Sequence, residues 1–406
     1  MKPQPITKQI LIIAAMVFAL YVLLIPKNFV GLDGENWKNW SLYIFENGLG
    51  KAYNNTDISY PPIYIYGLYI FTLLYDSAEN LLSHLYFTRV IALAFDFITI
   101  AVLLKYVPAI KKQPIVILFL LLNIAFVYNS LIWWQTDSIH TAFILLAIIM
   151  ALYHKPALTI MFFVLAINAK LNAIIYAPVI LLLLIPVFST NPFSILSSII
   201  IGIATQVILW YPFIQEGNIS IWLNGFLQRV DYYHFASMKA YNFWYLFLND
   251  NPRNILDNTI AFNSFSYKNI GAILFVVTTL LALFPLAKKT FQNLKQRVVF
   301  SEKDIAFVFL TLGLLTLVFF FFPTRIHERY AHAGVLFFFI HACYSGSFRL
   351  YVLYSIAYFI NLEKEAQFLL MPNEVDEFLK PQYVAVIYAI IGISAFRKLY
   401  AKQQEV

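Results

Sequence analysis

Charged side chains are scarce in this chain: 12% of its 406 residues are Asp, Glu, Lys or Arg, where soluble domains carry about 25%. With 61% hydrophobic residues and a mean hydropathy of +0.72, that shortage excludes an ordinary soluble globule and predicts a polytopic all-α membrane protein. Cysteine is nearly missing too. The single Cys343 lies in an apolar run, which rules out an internal disulfide framework and a cysteine metal site. Glycine-rich phosphate loops, Walker motifs and Cys/His zinc spacings are absent, so nothing supports a nucleotide-driven mechanism. There is no low-complexity stretch, no soluble domain and no internal repeat; lack of a repeat counts against a secondary transporter. The net charge of +7 does not call for nucleic acid, because membrane proteins gather Lys and Arg on their cytoplasmic side.

Apolar runs and aromatic residues fill the space that charge leaves. Aromatics make up 18% of the chain, with 39 Phe and 27 Tyr, a composition suited to helices in lipid with interfacial belts. Taking roughly 20 apolar residues per crossing, and fewer where helices are buried, predicts about twelve spans, with a range of 10 to 13. They fall near 9 to 26, 84 to 106, 114 to 130, 138 to 153, 156 to 169, 171 to 187, 193 to 212, 268 to 286, 304 to 322, 330 to 346, 348 to 361 and 382 to 397. The first run follows Lys2 and Lys8 as a signal peptide would, but has no small-residue cleavage site, and is expected to be a retained transmembrane helix. The apolar stretch after Pro61 and Pro62 is too short to cross and is expected to lie at the interface or to re-enter. The first external loop is therefore long, about 27 to 83, with helices on the membrane surface, and a second long loop covers 213 to 267. The sequons at Asn54-Asn55-Thr56 and Asn218-Ile219-Ser220 fall in these predicted outside loops.

With both termini cytoplasmic, the basic residues outside the long loops favour the predicted inside, while the acids gather on the other face. Six polar clusters share that external face: Asp33 with Glu35; Tyr60-Pro61-Pro62; Trp133-Trp134-Gln135-Thr136-Asp137; Asn168-Ala169-Lys170-Leu171-Asn172; Tyr241-Asn242-Phe243-Trp244; and Arg325-Ile326-His327-Glu328-Arg329-Tyr330. Unrelated loop residues would have divided between the faces, so the shared side points to one composite site.

Each cluster has a plain structural reading beside the chemical one. Asp33 and Glu35 sit where the first apolar helix leaves the bilayer; they either act on a lipid-borne substrate or cap the short helix expected over 36 to 45. Arg325, His327 and Arg329 either anchor at the interface or receive a phosphate, which guanidinium pairs with bidentately. Lys170 either holds the interface or shares that phosphate. Arg89 and Asp96, seven apart, share a helix face and are expected to pair inside the membrane. Asp137 and His140 fall short of a metal site, and Asp137 reads more simply as an N-cap; no metal site is expected. Trp133 and Trp134 suit an interfacial belt or the floor of a sugar pocket.

The order Asp33 with Glu35, Tyr60-Pro61-Pro62, Arg89 with Asp96, Gln135-Thr136-Asp137, Asn168-Ala169-Lys170 and Arg325-Ile326-His327-Glu328-Arg329-Tyr330 resembles the GT-C superfamily of membrane glycosyltransferases. The likeness runs from about 30 to 345 and is nearest to dolichol-phosphate-glucose-dependent glucosyltransferases and GPI mannosyltransferases, with their bacterial relatives. It implies a catalytic module over 1 to 212, the second loop over 213 to 267 and a variable C-terminal module over 268 to 406. It implies an inverting transfer of a hexose, mannose or glucose in type, from a polyprenyl-phosphate sugar to a glycan, lipid-linked or protein acceptor. Asp33 would be the general base, with Glu35 as its fallback; His327, Arg329, Arg325 and Lys170 would hold the donor phosphate. Tyr60, Trp134, Gln135, Asp137, Asn242 and Trp244 would line the substrate pocket. No cofactor is required on this reading, and a divalent cation is left open. The chain departs from the eukaryotic His-Phe-Gln-Tyr-Asn pattern at Trp133-Trp134-Gln135-Thr136-Asp137, so the sugar does not carry over. Tyr-Asn-Phe-Trp is closer to the bacterial relatives, which implies a plasma (inner) membrane enzyme with its site on the external or periplasmic face. The competing class is a transporter or flippase of a lipid-linked or small polar substrate.

Overall fold

The computed structural model describes residues 5–28, 33–54, 58–216, 234–248, 251–370 and 379–401. The sequon residues Asn55, Thr56 and 218–220, and the part of the second loop over 217–233, lie outside the described residues. The chain is mostly helical, and strand among the described residues is confined to one two-stranded hairpin. Six described helices are long and apolar enough to cross a membrane: Leu85–Tyr106, Leu171–Thr190, Phe193–Gln215, Tyr267–Gln296, Glu302–Phe321 and Pro381–Ala401. A seventh crossing results if Pro114–Leu121 and Ile124–Leu131, bent by 53° at Leu122 and Asn123, form one broken span. These helices suggest a membrane-embedded protein. Other expected crossings are shorter: Pro156–Ala169 has 14 residues, about 21 Å at 1.5 Å per residue, against a hydrocarbon thickness of about 30 Å.

The described residues divide into two compact units made of interleaved segments: 1–107 with 129–174 and 192–232, and 108–128 with 175–191 and 233–406. In the first unit, Trp37, Trp40 and Ile44 recur at helical spacing on Asp33–Asn47 and are buried against Tyr64, Ile65 and Leu68 of Pro62–Thr72. Pro62 starts that second helix, where its missing N–H costs nothing and its fixed φ fits the first turn. Trp37 is the centre of the cluster, with Trp40, Tyr60 and Tyr64 edge-on at centroid distances of 5.0, 5.2 and 4.8 Å. The 11-residue Pro62–Thr72 helix spans about 16 Å, buries Tyr64, Ile65 and Leu68, and exposes Ile70. Beneath this cap, Asp137–Leu152 is buried along nearly its whole length and packs on Arg89–Tyr106 and Pro156–Ala169.

In the second unit the Ile305–Phe321 helix is the core element, and 83% of its apolar window is buried. It packs on His332–Ser345, Tyr267–Gln296 and Pro381–Ala401. Close approach depends on small residues: a Cβ on Gly313 would lie 3.0 Å from the Phe338 ring, and one on Gly334 would lie 2.3 Å from the Tyr354 hydroxyl. By contrast, only 11% of the window in Phe193–Gln215 is buried, the signature of a helix whose solvent is lipid.

Candidate functional site

The first unit holds the acidic candidates. Asp33 is the first residue of its helix, not a residue before it, and an acid there is favoured by the helix dipole. Its Oδ2 accepts a hydrogen bond from Gln135 Nε2 at 2.5 Å, joining two segments 102 residues apart. Glu35 lies elsewhere: it is more exposed and pairs with Lys38 one turn on at 3.5 Å. Of the two candidate bases, Asp33 is the one set into a built environment.

That environment turns on Trp134. Its backbone is left-handed (φ 57°), a conformation that costs a bulky residue on the order of 1 to 3 kcal/mol and persists only where the surroundings enforce it. They do so from three directions. Trp134 Nε1 donates to Thr88 Oγ1 at 2.9 Å, its carbonyl accepts from Trp37 Nε1 at 3.1 Å, and the Arg89 guanidinium lies 4.2 Å over its ring. The next backbone N–H, on Gln135, donates to Asn129 O at 2.9 Å, which fixes the turn that aims Gln135 at Asp33. Trp134 is therefore 2% exposed and a support of the site, not an open sugar platform. Tyr60 is partly exposed beside Trp37, and its carbonyl accepts from the Tyr53 hydroxyl.

Arg89 and Asp96 do not pair as expected. Arg89 instead donates from Nη1 to Pro26 O at 2.7 Å and from Nη2 to Asn28 O at 3.1 Å, tying down the chain just before Asp33. Asp96 accepts from Ser130 Oγ at 2.5 Å. Two residues seven apart share a face but are about 10 Å apart along the axis, and each finds a nearer partner. Asp137 is likewise not an N-cap. It is the first helical residue, after Thr136, and its Oδ1 lies 2.5 Å from Lys170 Nζ, with Asn129 Nδ2 at 3.4 Å from its other oxygen. Lys170 and Asp137, expected at the phosphate and in the pocket respectively, are thus partners, both nearly fully buried. Lys170 reaches inward because it ends Pro156–Ala169 in extended backbone (φ −160°, ψ 131°). Asn168 holds the same break, donating to Gln206 Oε1 at 2.7 Å and accepting from Trp210 Nε1 at 2.8 Å. No group of three or more His, Cys, Asp and Glu that could hold a metal ion occurs among the described residues.

The second unit holds the cationic candidates. His327 is fixed by backbone bridging to Met238 and Lys239. Its Nδ1 is 3.4 Å from Arg329 Nη1, and that same nitrogen of Arg329 is 3.3 Å from Glu328 Oε1. Burial raises the pKa of Glu328, against the opposing pull of Arg329, so its proton is held more firmly than an ordinary carboxylate's and its charge offsets the cations less fully. Arg325 is committed differently. From a left-handed backbone (φ 65°) its Nε donates to Asp257 Oδ2 at 2.6 Å and its Nη2 to Asp257 Oδ1 at 3.2 Å. Asn242 and Trp244 are buried and act as fasteners: Asn242 Nδ2 donates to Phe320 O, and Trp244 Nε1 donates to Pro323 O, each at 3.3 Å.

Three supports of this loop carry no motif in the sequence. Asp257, fully buried, also accepts from Thr324 Oγ1 at 3.0 Å. Asn361 accepts from Tyr241 N at 3.0 Å and donates to Lys239 O at 2.8 Å. Glu365 gathers Lys239 at 3.1 Å, the Tyr241 hydroxyl at 3.2 Å and Arg253 at 3.6 Å. Their partners lie 67 to 126 residues away in sequence, beyond any local pattern.

No family model and no curated protein matches this chain. The functional reading therefore rests on the geometry and on the resemblance carried by the motifs.

Proposed function

We propose that this chain is an inverting, polyprenyl-phosphate-sugar-dependent glycosyltransferase of GT-C type, with about twelve crossings, that moves a hexose to an acceptor hydroxyl on the external face of the membrane. The observation that carries the reading is the Gln135–Asp33 hydrogen bond. Two motifs of the resemblance converge on one carboxylate, and a supporting shell of Trp134, Arg89 and Trp37 orients it.

On this reading the Asp33 carboxylate accepts the proton of the acceptor hydroxyl as its oxygen bonds to the anomeric carbon. The anomeric carbon–oxygen bond breaks, its electron pair leaves on the polyprenyl phosphate, and configuration inverts. A positioned general base contributes about a hundred- to ten-thousand-fold. The resemblance would give His327 and Arg329, grouped within the second unit, the role of phosphate donors, since fixed positive donors stabilise developing charge. Arg325, held by Asp257, supports the loop, and Lys170 is matched by Asp137.

Two observations favour a transporter or flippase. The bend at Leu122 and Asn123 and the buried Asp137–Lys170 pair are features such proteins use. Purified protein in vesicles, given a panel of polyprenyl-phosphate sugars, separates the two. The glycosyltransferase reading expects transfer that needs the polyprenyl donor and falls about a hundred- to ten-thousand-fold in Asp33→Asn, while the variant unfolds at the wild-type temperature. Undiminished transfer in Asp33→Asn would remove Asp33 as base. Donor crossing the bilayer without any transfer would favour the transporter.

A further inference from the structure

The hairpin that precedes the Tyr267–Gln296 helix exposes large apolar side chains. Strand Ile260–Phe262 pairs antiparallel with Phe265–Ser266, and Phe262 and Phe265 are cross-strand partners, so they share one face. Ile260 is 66% exposed, Phe262 69% and Phe265 46%. A polar Asn263-Ser264 turn joins them, with Asn263 in left-handed backbone (φ 49°), which Asn tolerates.

This hairpin is tied rigidly to the end of a membrane-length helix. Tyr267 N donates to Thr259 O at 3.2 Å and Lys268 N to Asp257 O at 2.8 Å, while Ser266 caps the helix through Asn269 N. The uncharged stretch 270–287 of the helix, eighteen residues between Lys268 and Lys288, is about 27 Å long and close to the hydrocarbon thickness of about 30 Å. Lys268 then lies at the headgroup level, and so does the base of the hairpin. A three-residue strand reaches about 10 Å from that base. The headgroup layer on each side of a bilayer is about 5 to 8 Å thick, so the phenylalanines cannot stand far from it.

We infer that Ile260, Phe262 and Phe265 insert into the headgroup and upper acyl region of the bilayer, with Lys268 at the lipid phosphates, making the hairpin a second membrane contact of this loop. The occupant is lipid because the hairpin continues directly from a helix whose apolar window is 28% buried and otherwise offered to lipid. This inference rests on membrane embedding alone and is independent of the proposed catalytic activity. Its consequence is mechanical: Asp257 joins the start of the helix that follows the hairpin, at Lys268 N, to Arg325, so the membrane surface helps to set the height of the loop that carries His327 and Arg329.

The test is depth-dependent quenching. Full-length Phe262→Cys and Phe265→Cys, each in a Cys343→Ala background, are labelled with an environment-sensitive fluorophore and reconstituted in phosphatidylcholine–phosphatidylglycerol vesicles. Glu302→Cys, exposed on another element, serves as the aqueous reference, with iodide supplied on both sides of the bilayer. The expected result is blue-shifted emission at both hairpin positions, with most of the fluorescence lost to lipids spin-labelled high on the acyl chain and little lost to iodide. Strong iodide quenching, as at position 302, would overturn the inference. Shielding from both quenchers would overturn it as well, because it would mean that protein covers the hairpin. Two labelled positions keep the test valid should one substitution disturb the turn.

Discussion

Asp137 and Lys170 show what a buried ion pair demands of its neighbours. At 2.5 Å and nearly fully buried, each charge depends on the other, since removing one leaves the other uncompensated in a medium of low dielectric. Lys170→Met is expected to destabilise the first unit by about 3 to 5 kcal/mol. Asp137→Leu with Lys170→Met should recover most of that loss, because an apolar pair of similar volume is often neutral or better. Thermal unfolding of the two single variants and the double variant measures the cycle, and a double variant that loses the sum of both would show that the pair is not coupled. Glu328 makes a second claim at this scale. Burial raises its pKa, so the folded state binds the proton more tightly than the unfolded chain does. The stability it contributes is complete below the ordinary carboxylate range and is lost as pH rises through the raised value. Unfolding temperature followed from about pH 4 to about pH 8 should therefore fall less with pH in Glu328→Gln than in the wild type. Equal slopes would show that the ion pair with Arg329 cancels burial, and a steeper fall in Glu328→Gln would show that it outweighs burial.

Elements in this protein are joined by contacts that allow no extra atom. Gly334, on His332–Ser345, faces the Tyr354 ring of Arg349–Ala366, whose hydroxyl donates to Ala331 O at 2.8 Å. An added Cβ would overlap that hydroxyl at 2.3 Å, and the ring cannot retreat without giving up its hydrogen bond. Gly334→Ala is therefore expected to cost about 1 to 3 kcal/mol as overpacking, read as a lower unfolding temperature. Gly334→Ala with Tyr354→Phe should regain part of the loss, since without its hydroxyl the ring, whose Cζ lies at 2.4 Å, is no longer held to Ala331 and can retreat. The first loop follows the same logic with larger side chains: Trp37 and Trp40 weld Asp33–Asn47 to Pro62–Thr72, so the helix that begins with Asp33 has a packed floor. Arg89 then holds the chain on the other side of Asp33 by two carbonyls.

Across the whole molecule, the long helices differ more in their surroundings than in their composition. Glu302–Phe321 and Tyr267–Gln296 share a mean hydropathy of 2.4, yet 83% of one window and 28% of the other are buried. Hydropathy cannot separate a helix solvated by protein from one solvated by lipid, because both media are apolar. What the amino-acid sequence determined by itself was the helical, membrane-embedded class, the shortness of the apolar segment after Pro62, and the local groups in which Asp33, Gln135, Lys170 and His327 occur. These follow from run length, hydropathy and turn residues, all of which act over a few neighbours. Tertiary structure alone decided the partners: Gln135 on Asp33, Lys170 on Asp137, Arg325 on Asp257, and Arg89 on Trp134 and two carbonyls in place of Asp96. A buried polar group takes whichever complementary group the packing of apolar surfaces brings within about 3 Å, and residues 33 to 102 positions distant in sequence leave no local trace of that choice.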